Sequence, residues 1–420
     1  MPNKDPERSY SSQINFGHQR PSISRQERTL YALTAIVCFA HTFAFNFVPA
    51  ILSNVSASIM AFLILGTFAT SLRYKYNSNA ELLTLLSLAV MVVIATSTLV
   101  AYQPQSGIVE IVRNFAGILL IAWALTQRWY SVRFDTLLTV LGVLAVVLAM
   151  FVPIFREPIL RAGYFRMGSL TSGDITLHPS AYLSVIVGFW AGAMGYYKHK
   201  PAAALLSIAV ISFNIIGYRA QAAILLLFFV IATYVSYNFI SRRWMEKLSS
   251  VLPILLILIF SAFFVVLNLT PDSWDVNLGS GRIGTWLDRS ERIGGRDLVE
   301  MLFGMGPGSD NYFGTLTWRS QATHSHNDFL NVALELGIVG LMSFLILIAS
   351  MIFSAPYYLR FFVMIILIAP FVSGGILFKP TVAPIMALVI LHTRLMHDRA
   401  KLRSGGRGYH PRLVVFKPQY

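Results

Sequence analysis

The sequence predicts an all-α, polytopic membrane protein of about twelve transmembrane helices, with one long hydrophilic loop between two of them. Hydrophobic residues make up 55% of the 420-residue chain and charged residues only 12%, whereas a soluble domain is about 25% charged. The apolar residues form repeated runs of about 20, the length at which a helix crosses a bilayer. The longest hydrophilic stretch, residues 269–326, has 58 residues and is marginal for an independent core.

Apolar runs define twelve predicted spans, with bounds good to a few residues. They are Leu30–Phe47, Ala50–Leu72, Leu82–Tyr102, Gly107–Thr126, Phe134–Pro153, Ser180–Tyr197, Ala202–Gly217, Gln221–Ile240, Val251–Leu267, Phe329–Ile348, Tyr357–Leu377 and Val382–Leu391. The predicted organisation is an N-terminal tail of residues 1–28, a membrane domain of residues 29–392 that includes the large loop 269–326, and a basic C-terminal tail of residues 393–420.

The basic residues between the spans indicate how the chain is oriented, because Lys and Arg concentrate in cytoplasmic segments. An even number of spans puts both termini on one side. If that side is the cytoplasm, the inner segments hold 22 Lys and Arg and the outer segments hold 10. We therefore expect both termini to be cytoplasmic and the large loop to lie on the outer face.

Several cofactor and partner classes are excluded by composition. The single cysteine, Cys38, lies in an apolar run, so neither an intrachain disulfide nor a cysteine-based metal cluster is expected. The sequence contains no Asp-x-Asp pair and no P-loop, so we expect no metal site and no nucleotide cofactor. The net charge of +14 follows membrane topology, and no nucleic-acid partner is expected.

Arginine dominates the predicted outer face, where it supplies nine of the ten basic residues. A guanidinium binds phosphate in a bidentate way, although loop arginines also pair with loop carboxylates or remain in water. Arg219 lies between the seventh and eighth spans, where a charge is costly and often functional, unless it snorkels to the interface. Arg113 forms an i, i+3 pair with Glu110 or lines the same outer cavity as Arg219.

Two histidines, His324 and His326, stand where the tenth span begins, and Asn327 or Asp328 could cap that helix. An imidazole with a pKa of about 6.5 suits a general base, while a polar group at the membrane boundary is the ordinary alternative. The Gly-rich stretch 304–308 fits a plain turn or an anion-binding nest.

Five stretches of the chain resemble the O-antigen ligase and O-antigen polymerase superfamily. They are Thr323–Leu330 with Leu334–Gly340, Ser280–Trp286, Leu302–Gly306, Gly217–Ala220 and Arg166–Ser180. Two positions depart from the family pattern, because Tyr218 replaces a Ser and Ser180 replaces an Asn.

The resemblance implies a multi-spanning fold similar to that of lipid-dependent glycosyltransferases in the bacterial inner membrane. It implies a donor glycan on undecaprenyl diphosphate, a glycan acceptor and an active site on the periplasmic side, without metal or nucleotide. Because negative charge grows on a departing diphosphate, preorganised arginines would stabilise the transition state. We assign Arg219 and Arg282 to the diphosphate, with Arg166 and Arg113 as further candidates for diphosphate or substrate binding, and His326 and secondarily His324 to the acceptor.

Three functions remain open at this point. The first is an exopolysaccharide or O-antigen polymerase, and the second is the ligase that moves O-antigen onto lipid A–core. The third is a polysaccharide transporter or flippase. Membrane lipid is an expected partner, and a flippase and a chain-length regulator are candidate partner proteins.

Overall fold

The computed structural model describes most of the chain. Described residues are 24–47, 117–126, 132–151, 159–161, 164–166, 178–198, 200–218, 221–275, 278–307, 309, 327–373 and 382–403, with individual residues between 59 and 97. Side chains at some ends of these segments are outside the description.

The described chain is largely helical, as the apolar runs predict. The helices are α1 (Arg25–Phe47), α2 (Gly117–Thr126), α3 (Val132–Phe151), α4 (His178–Tyr197), α5 (Pro201–Tyr218), α6 (Gln221–Phe239), α7 (Arg242–Leu269), α8 (Leu278–Gly294), α9 (Leu298–Phe303), α10 (Asp328–Ser354), α11 (Arg360–Val363), α12 (Ile365–Ser373) and α13 (Ala383–Arg403). Strands β1 (Ile159–Arg161) and β2 (Tyr164–Arg166) form one antiparallel pair, which the all-α prediction did not include.

Three of the described helices are long and apolar enough to cross a membrane, namely α3, α7 and α10. Shorter apolar helices occur at Gly117–Thr126, Pro201–Phe213, Ala223–Val235 and Arg360–Phe371. Helix α7 lies at the edge, because only 11% of its apolar window is buried. Such an exposed apolar surface is the expected face of a helix in lipid.

Helix α4 lies at the centre of the bundle, packed against α3, α5, α6 and α13. Its residues from Ala181 to Ala191 are all buried. Small residues allow this packing: a Cβ on Gly195 would come within 2.9 Å of the Ala204 backbone nitrogen. As in many membrane bundles, glycine at the contact permits close approach of two helices.

Helix α4 also connects two ends of the molecule. Its first turns face α8 and the start of α10, which we call the loop end, and its last residues face α3 and α13, which we call the tail end. Twenty residues of helix span about 30 Å, so the two ends are separate sites.

Candidate functional site at the loop end

Helix α8 belongs to the large loop and is held at the loop end by its apolar side. Trp286 is its anchor, with its ring centroid 5.9 Å from that of Phe263 and 5.6 Å from that of Phe371. Ile283 and Trp286 join Leu267 and Leu330 in a small core separate from the main one. Because this core includes residues of α7 and α10, α8 is fixed against the ends of both helices.

A second side of α8 is buried but polar. Arg282, Thr285 and Arg289 have i, i+3, i+7 spacing, which places them on one helix face. Thr285 is 3% exposed and Arg289 is 0% exposed, while Arg282 is half-buried. Arg289 Nη1 donates to Asp288 Oδ2 at 2.6 Å, and Arg292 Nε donates to the same oxygen at 3.1 Å. Two guanidiniums therefore share one carboxylate.

Arg282 lies near the starts of helices α4 and α10. Ile283, the residue after Arg282, packs with Leu330 in the first turn of α10, and Arg282 and Asp328 are both within electrostatic range of Tyr182. Tyr182 is in the second turn of α4 and Asp328 is the first residue of α10. The loop arginine, the start of α10 and the segment that follows residues 166–180 therefore converge at the loop end.

The first turn of α10 is fixed by Asn327, which is completely buried. Its Oδ1 accepts from the backbone N–H groups of Phe329 at 3.0 Å and Leu330 at 3.2 Å, and its Nδ2 donates to the Phe371 carbonyl at 3.3 Å. Such a cap is worth about 0.5–2 kcal/mol. The predicted cap is confirmed, and it holds the chain at the residue that directly follows His326.

Helix α10 is broken at Gly337, whose φ of 66° and ψ of −167° are non-helical. This backbone region is essentially restricted to glycine. The break frees the carbonyls of Leu334 and Glu335 from their usual partners four residues on. Met305 N donates to Leu334 O at 3.1 Å, Gly306 N donates to Glu335 O at 2.9 Å, and Ser97 Oγ donates to Glu335 O at 2.7 Å.

The break and the Gly-rich stretch fit together through glycine on both sides. A Cβ on Gly337 would collide with the Leu302 carbonyl, and a Cβ on Gly304 would collide with the Glu335 carbonyl. Gly304 and Gly306 both have positive φ, at 76° and 94°. Their N–H groups donate to protein carbonyls, since Gly304 N bonds Glu300 O at 2.8 Å. The stretch is thus a docking turn, and the alternative of an anion nest is wrong for these N–H groups.

Arg296 stands beside this break, between α8 and α9. Its Nη1 donates to the Leu334 carbonyl at 2.8 Å. Its Nε and Nη2 are buried and make no hydrogen bond. Burial lowers the pKa of Arg296 and nearby Glu300 opposes that shift, and an arginine stays charged at neutral pH.

The predicted site residues are covered unevenly. Arg282 is at the loop end, as described above, and Arg166 ends β2, opposite Ile159, although its side chain lies outside the described part. His324, His326, Arg219 and Arg113 lie outside the described residues. Sequence analysis did not single out Arg289 or Arg296. A helix across 278–294 would have placed Arg289 on the face of Arg282.

The tail end holds a second charged cluster, centred on Asp135, which is 4% exposed. Lys198 Nζ and Arg399 Nη1 approach Asp135 Oδ2 at 3.1 and 3.2 Å, and His392 Nε2 approaches Oδ1 at 3.1 Å. Trp190 Nε1 donates to His392 Nδ1 at 2.8 Å. Because Nδ1 accepts, Nε2 carries the proton that His392 donates to Asp135. The cluster ties α3, α4 and α13 together.

Neither end resembles a metal centre: among the residues that the structure describes, no group of three or more His, Cys, Asp or Glu side chains could hold a metal ion. Comparison with models of protein families, with curated proteins and with solved structures finds no match to this chain. The chemistry of the loop end therefore rests on its own residues.

Proposed function

We propose that the chain transfers a glycan from undecaprenyl diphosphate to a sugar hydroxyl at the loop end, as a polymerase of exopolysaccharide or O-antigen repeat units. The observation that carries the proposal is convergence. Ile283 and Trp286, from one stretch of the family resemblance, pack in one core with Leu330 of a second stretch, and Met305 and Gly306, from a third stretch, bond to Leu334 and Glu335. Stretches far apart in sequence thus form one assembly, as parts of one active site would.

The setting of the proposal is the periplasmic side of a bacterial inner membrane. We propose the twelve-span topology with cytoplasmic termini, supported by the 22 inner and 10 outer basic residues that this topology gives. The exposed apolar surface of α7 supports contact with lipid. A polyprenyl tail would then reach the loop end from within the bilayer.

The reaction would proceed by a single displacement. The acceptor hydroxyl oxygen forms a bond to the anomeric carbon of the donor glycan, while the bond from that carbon to the diphosphate oxygen breaks. The diphosphate leaves with the electron pair, and the hydroxyl proton passes to His326, with His324 as the second candidate. Asn327 supports this role because it fixes the backbone next to His326.

Arginines would stabilise the departing diphosphate in place of a metal. We assign Arg282 and Arg219 to this role, with Arg166 and Arg113 as outer contacts. Donors fixed in a water-poor site cost no reorganisation when charge develops. The buried polar side of α8, with Arg289 and Thr285 next to Arg282, supports such an environment.

The test is glycan transfer by the purified chain in proteoliposomes that contain an undecaprenyl-diphosphate-linked oligosaccharide. We expect His326→Ala to lower the rate by about 10²–10⁴-fold, the usual contribution of a general base. Arg282→Ala should lower it by about 10²–10³-fold. Arg292→Ala is the matched control, because Arg292 lies on the same helix with its Nε bonded to Asp288. Full activity of both His326→Ala and Arg219→Ala would refute the assignment.

A ligase acting on finished O-antigen uses the same donor chemistry and is the alternative. Cells that lack the gene distinguish the two. Loss of a polymerase leaves single repeat units on the carrier lipid, whereas loss of a ligase leaves long chains on it. Accumulation of single repeats is the outcome that we expect.

A further inference from the structure

We infer that Arg296 is an oxyanion-binding residue of the loop end and takes two oxygens of the donor diphosphate. This inference rests on the proposed function for the identity of the donor. It concerns a residue that neither the family resemblance nor the charge pattern singled out. The lipid-linked donor and free diphosphate both present phosphate oxygens, so either could be the ligand that Arg296 binds.

Arg296 uses one of its three guanidinium nitrogens in a hydrogen bond with the protein. Nη1 is bound to the Leu334 carbonyl at 2.8 Å, so the guanidinium plane is fixed by the broken helix. Nε and Nη2 have no hydrogen-bond partner, although both atoms are buried. A buried donor without a partner costs about 1–3 kcal/mol, and more when it is charged.

The two remaining nitrogens of Arg296 match a ligand that presents two oxygens. Nε and Nη2 form one edge of the guanidinium, with two parallel N–H groups that match two oxygens of a carboxylate or phosphate. In native proteins, buried donors without a partner often mark a bound ion or water. An edge that is fixed, charged and without a partner is therefore arranged for a bidentate oxyanion.

Arg296 lies beside the same part of α10 as the other residues of the loop end. The carbonyl that anchors Arg296 is on Leu334, six residues after Asp328 on α10, or about 9 Å along the helix. Leu330, two residues after Asp328, packs in one core with Ile283, the residue that follows Arg282. Arg296 and Arg282 thus lie along the same stretch of α10, and a diphosphate with its attached sugar could extend between them.

Arg292 provides a matched comparison within the same loop. Both side chains are half-buried, but Arg292 Nε already donates to Asp288 Oδ2 at 3.1 Å. Removing Arg292 therefore removes the same charge without removing an open donor edge.

The experiment measures binding by thermal stabilisation of the purified full chain in detergent, with four probes. They are undecaprenyl diphosphate, undecaprenyl monophosphate, inorganic diphosphate and phosphatidylglycerol. The variants are Arg296→Lys, Arg296→Gln and the control Arg292→Gln. Arg296→Lys keeps the positive charge and a donor for the Leu334 carbonyl, but it lacks the two parallel N–H groups of a guanidinium. The variant therefore tests oxyanion binding separately from the hydrogen bond to Leu334.

We expect undecaprenyl diphosphate to bind about 10- to 100-fold more weakly to both Arg296 variants, the loss associated with charge-assisted hydrogen bonds. Arg292→Gln should bind like the wild type. Inorganic diphosphate could be the one probe that stabilises the wild type, with Arg296→Gln abolishing that stabilisation. That result would support the oxyanion site and would show that its ligand is free diphosphate rather than the lipid-linked donor. Stabilisation by phosphatidylglycerol to the same degree as by the diphosphates would overturn the inference.

The inference and the proposed function fail in different ways. Wild-type affinity for undecaprenyl diphosphate in folded Arg296→Lys and Arg296→Gln would overturn the inference alone, because the wild type would still bind donor and transfer glycan. A wild type that neither binds undecaprenyl diphosphate nor transfers glycan would overturn the proposed function and the donor assignment together.

Discussion

The two ends of helix α4 both hold charged groups, but they are assembled from different parts of the chain. At the tail end a side-chain carboxylate, Asp135, accepts hydrogen bonds from His392, Lys198 and Arg399 on continuous helices. At the loop end the acceptors are backbone carbonyls of a broken helix, and the donors are backbone and side-chain groups of distant segments. The tail end joins helices to one another, whereas the loop end docks a loop on a helix.

This difference has a consequence for function. The Asp135 carboxylate accepts hydrogen bonds from three donors on different helices or helix ends, an arrangement suited to holding α3, α4 and α13 together. The loop end contains an arginine edge with no hydrogen bond, formed by Nε and Nη2 of Arg296. A buried guanidinium edge without a partner is a place where an anion or a water can bind, and it is found at the end where we propose the chemistry.

The largest expected effect comes from Gly337→Ala, which disrupts the backbone contact between the loop and α10. Gly337→Ala places a Cβ against the Leu302 carbonyl and forces alanine into a conformation reserved for glycine. We expect a loss of about 3 kcal/mol or more in unfolding free energy and loss of glycan transfer. Thermal unfolding in detergent and the proteoliposome assay measure both effects.

Gly294→Ala is the control for that variant, because a Cβ at Gly294 would meet no atom within 4 Å. It should leave stability and transfer near wild type. If Gly337→Ala were as stable and active as Gly294→Ala, the docking of the loop on the helix break would not hold.

A smaller effect is expected at the tail end from Asp135→Ala. Removing one member of a buried ion pair costs about 3–5 kcal/mol, and we expect about 3 because Lys198 and Arg399 are 22% and 30% exposed and can reach water. The folded fraction should transfer glycan at the wild-type rate per molecule. Activity normalised to folded protein is the measurement, and a selective fall in turnover would assign the tail end a part in the reaction.

Sequence patterns predicted some of these features well and others not at all. The apolar runs predicted α3, α4 and α5 to within about two residues, because hydropathy alone determines a continuous helix in lipid. The last predicted span ended at Leu391, yet α13 continues to Arg403. A hydropathy window does not predict this extension, because residues 392–403 include five charged residues, and His392, Arg394 and Arg399 are bound by residues on other helices.

The break in α10 and the site around it depend on contacts that no local pattern encodes. Glycine is common in membrane helices, so Gly337 gave no signal until Gly304 was found against it. Asp135 and His392 were overlooked for a related reason, because their 257-residue separation hides a 3.1 Å contact. Arg282 was predicted as a site residue because it belongs to a recognisable stretch, whereas Arg296 becomes a candidate only once it is seen beside the Leu334 carbonyl.

The smallest expected effect comes from removing one hydroxyl group, that of Ser97, from the loop end. Ser97 Oγ donates to the Glu335 carbonyl at 2.7 Å across 238 residues, and Ser97 is completely buried. Ser97→Ala removes one donor from that carbonyl, to which the Gly306 N–H also donates, so we expect a loss of about 0.5–1.5 kcal/mol in unfolding free energy. Ser343→Ala is the control, because Ser343 Oγ bonds only to Val339 O of its own helix. If both variants lost the same stability, the bond from Ser97 would add nothing to the contacts that the loop backbone and Arg296 make with the helix break.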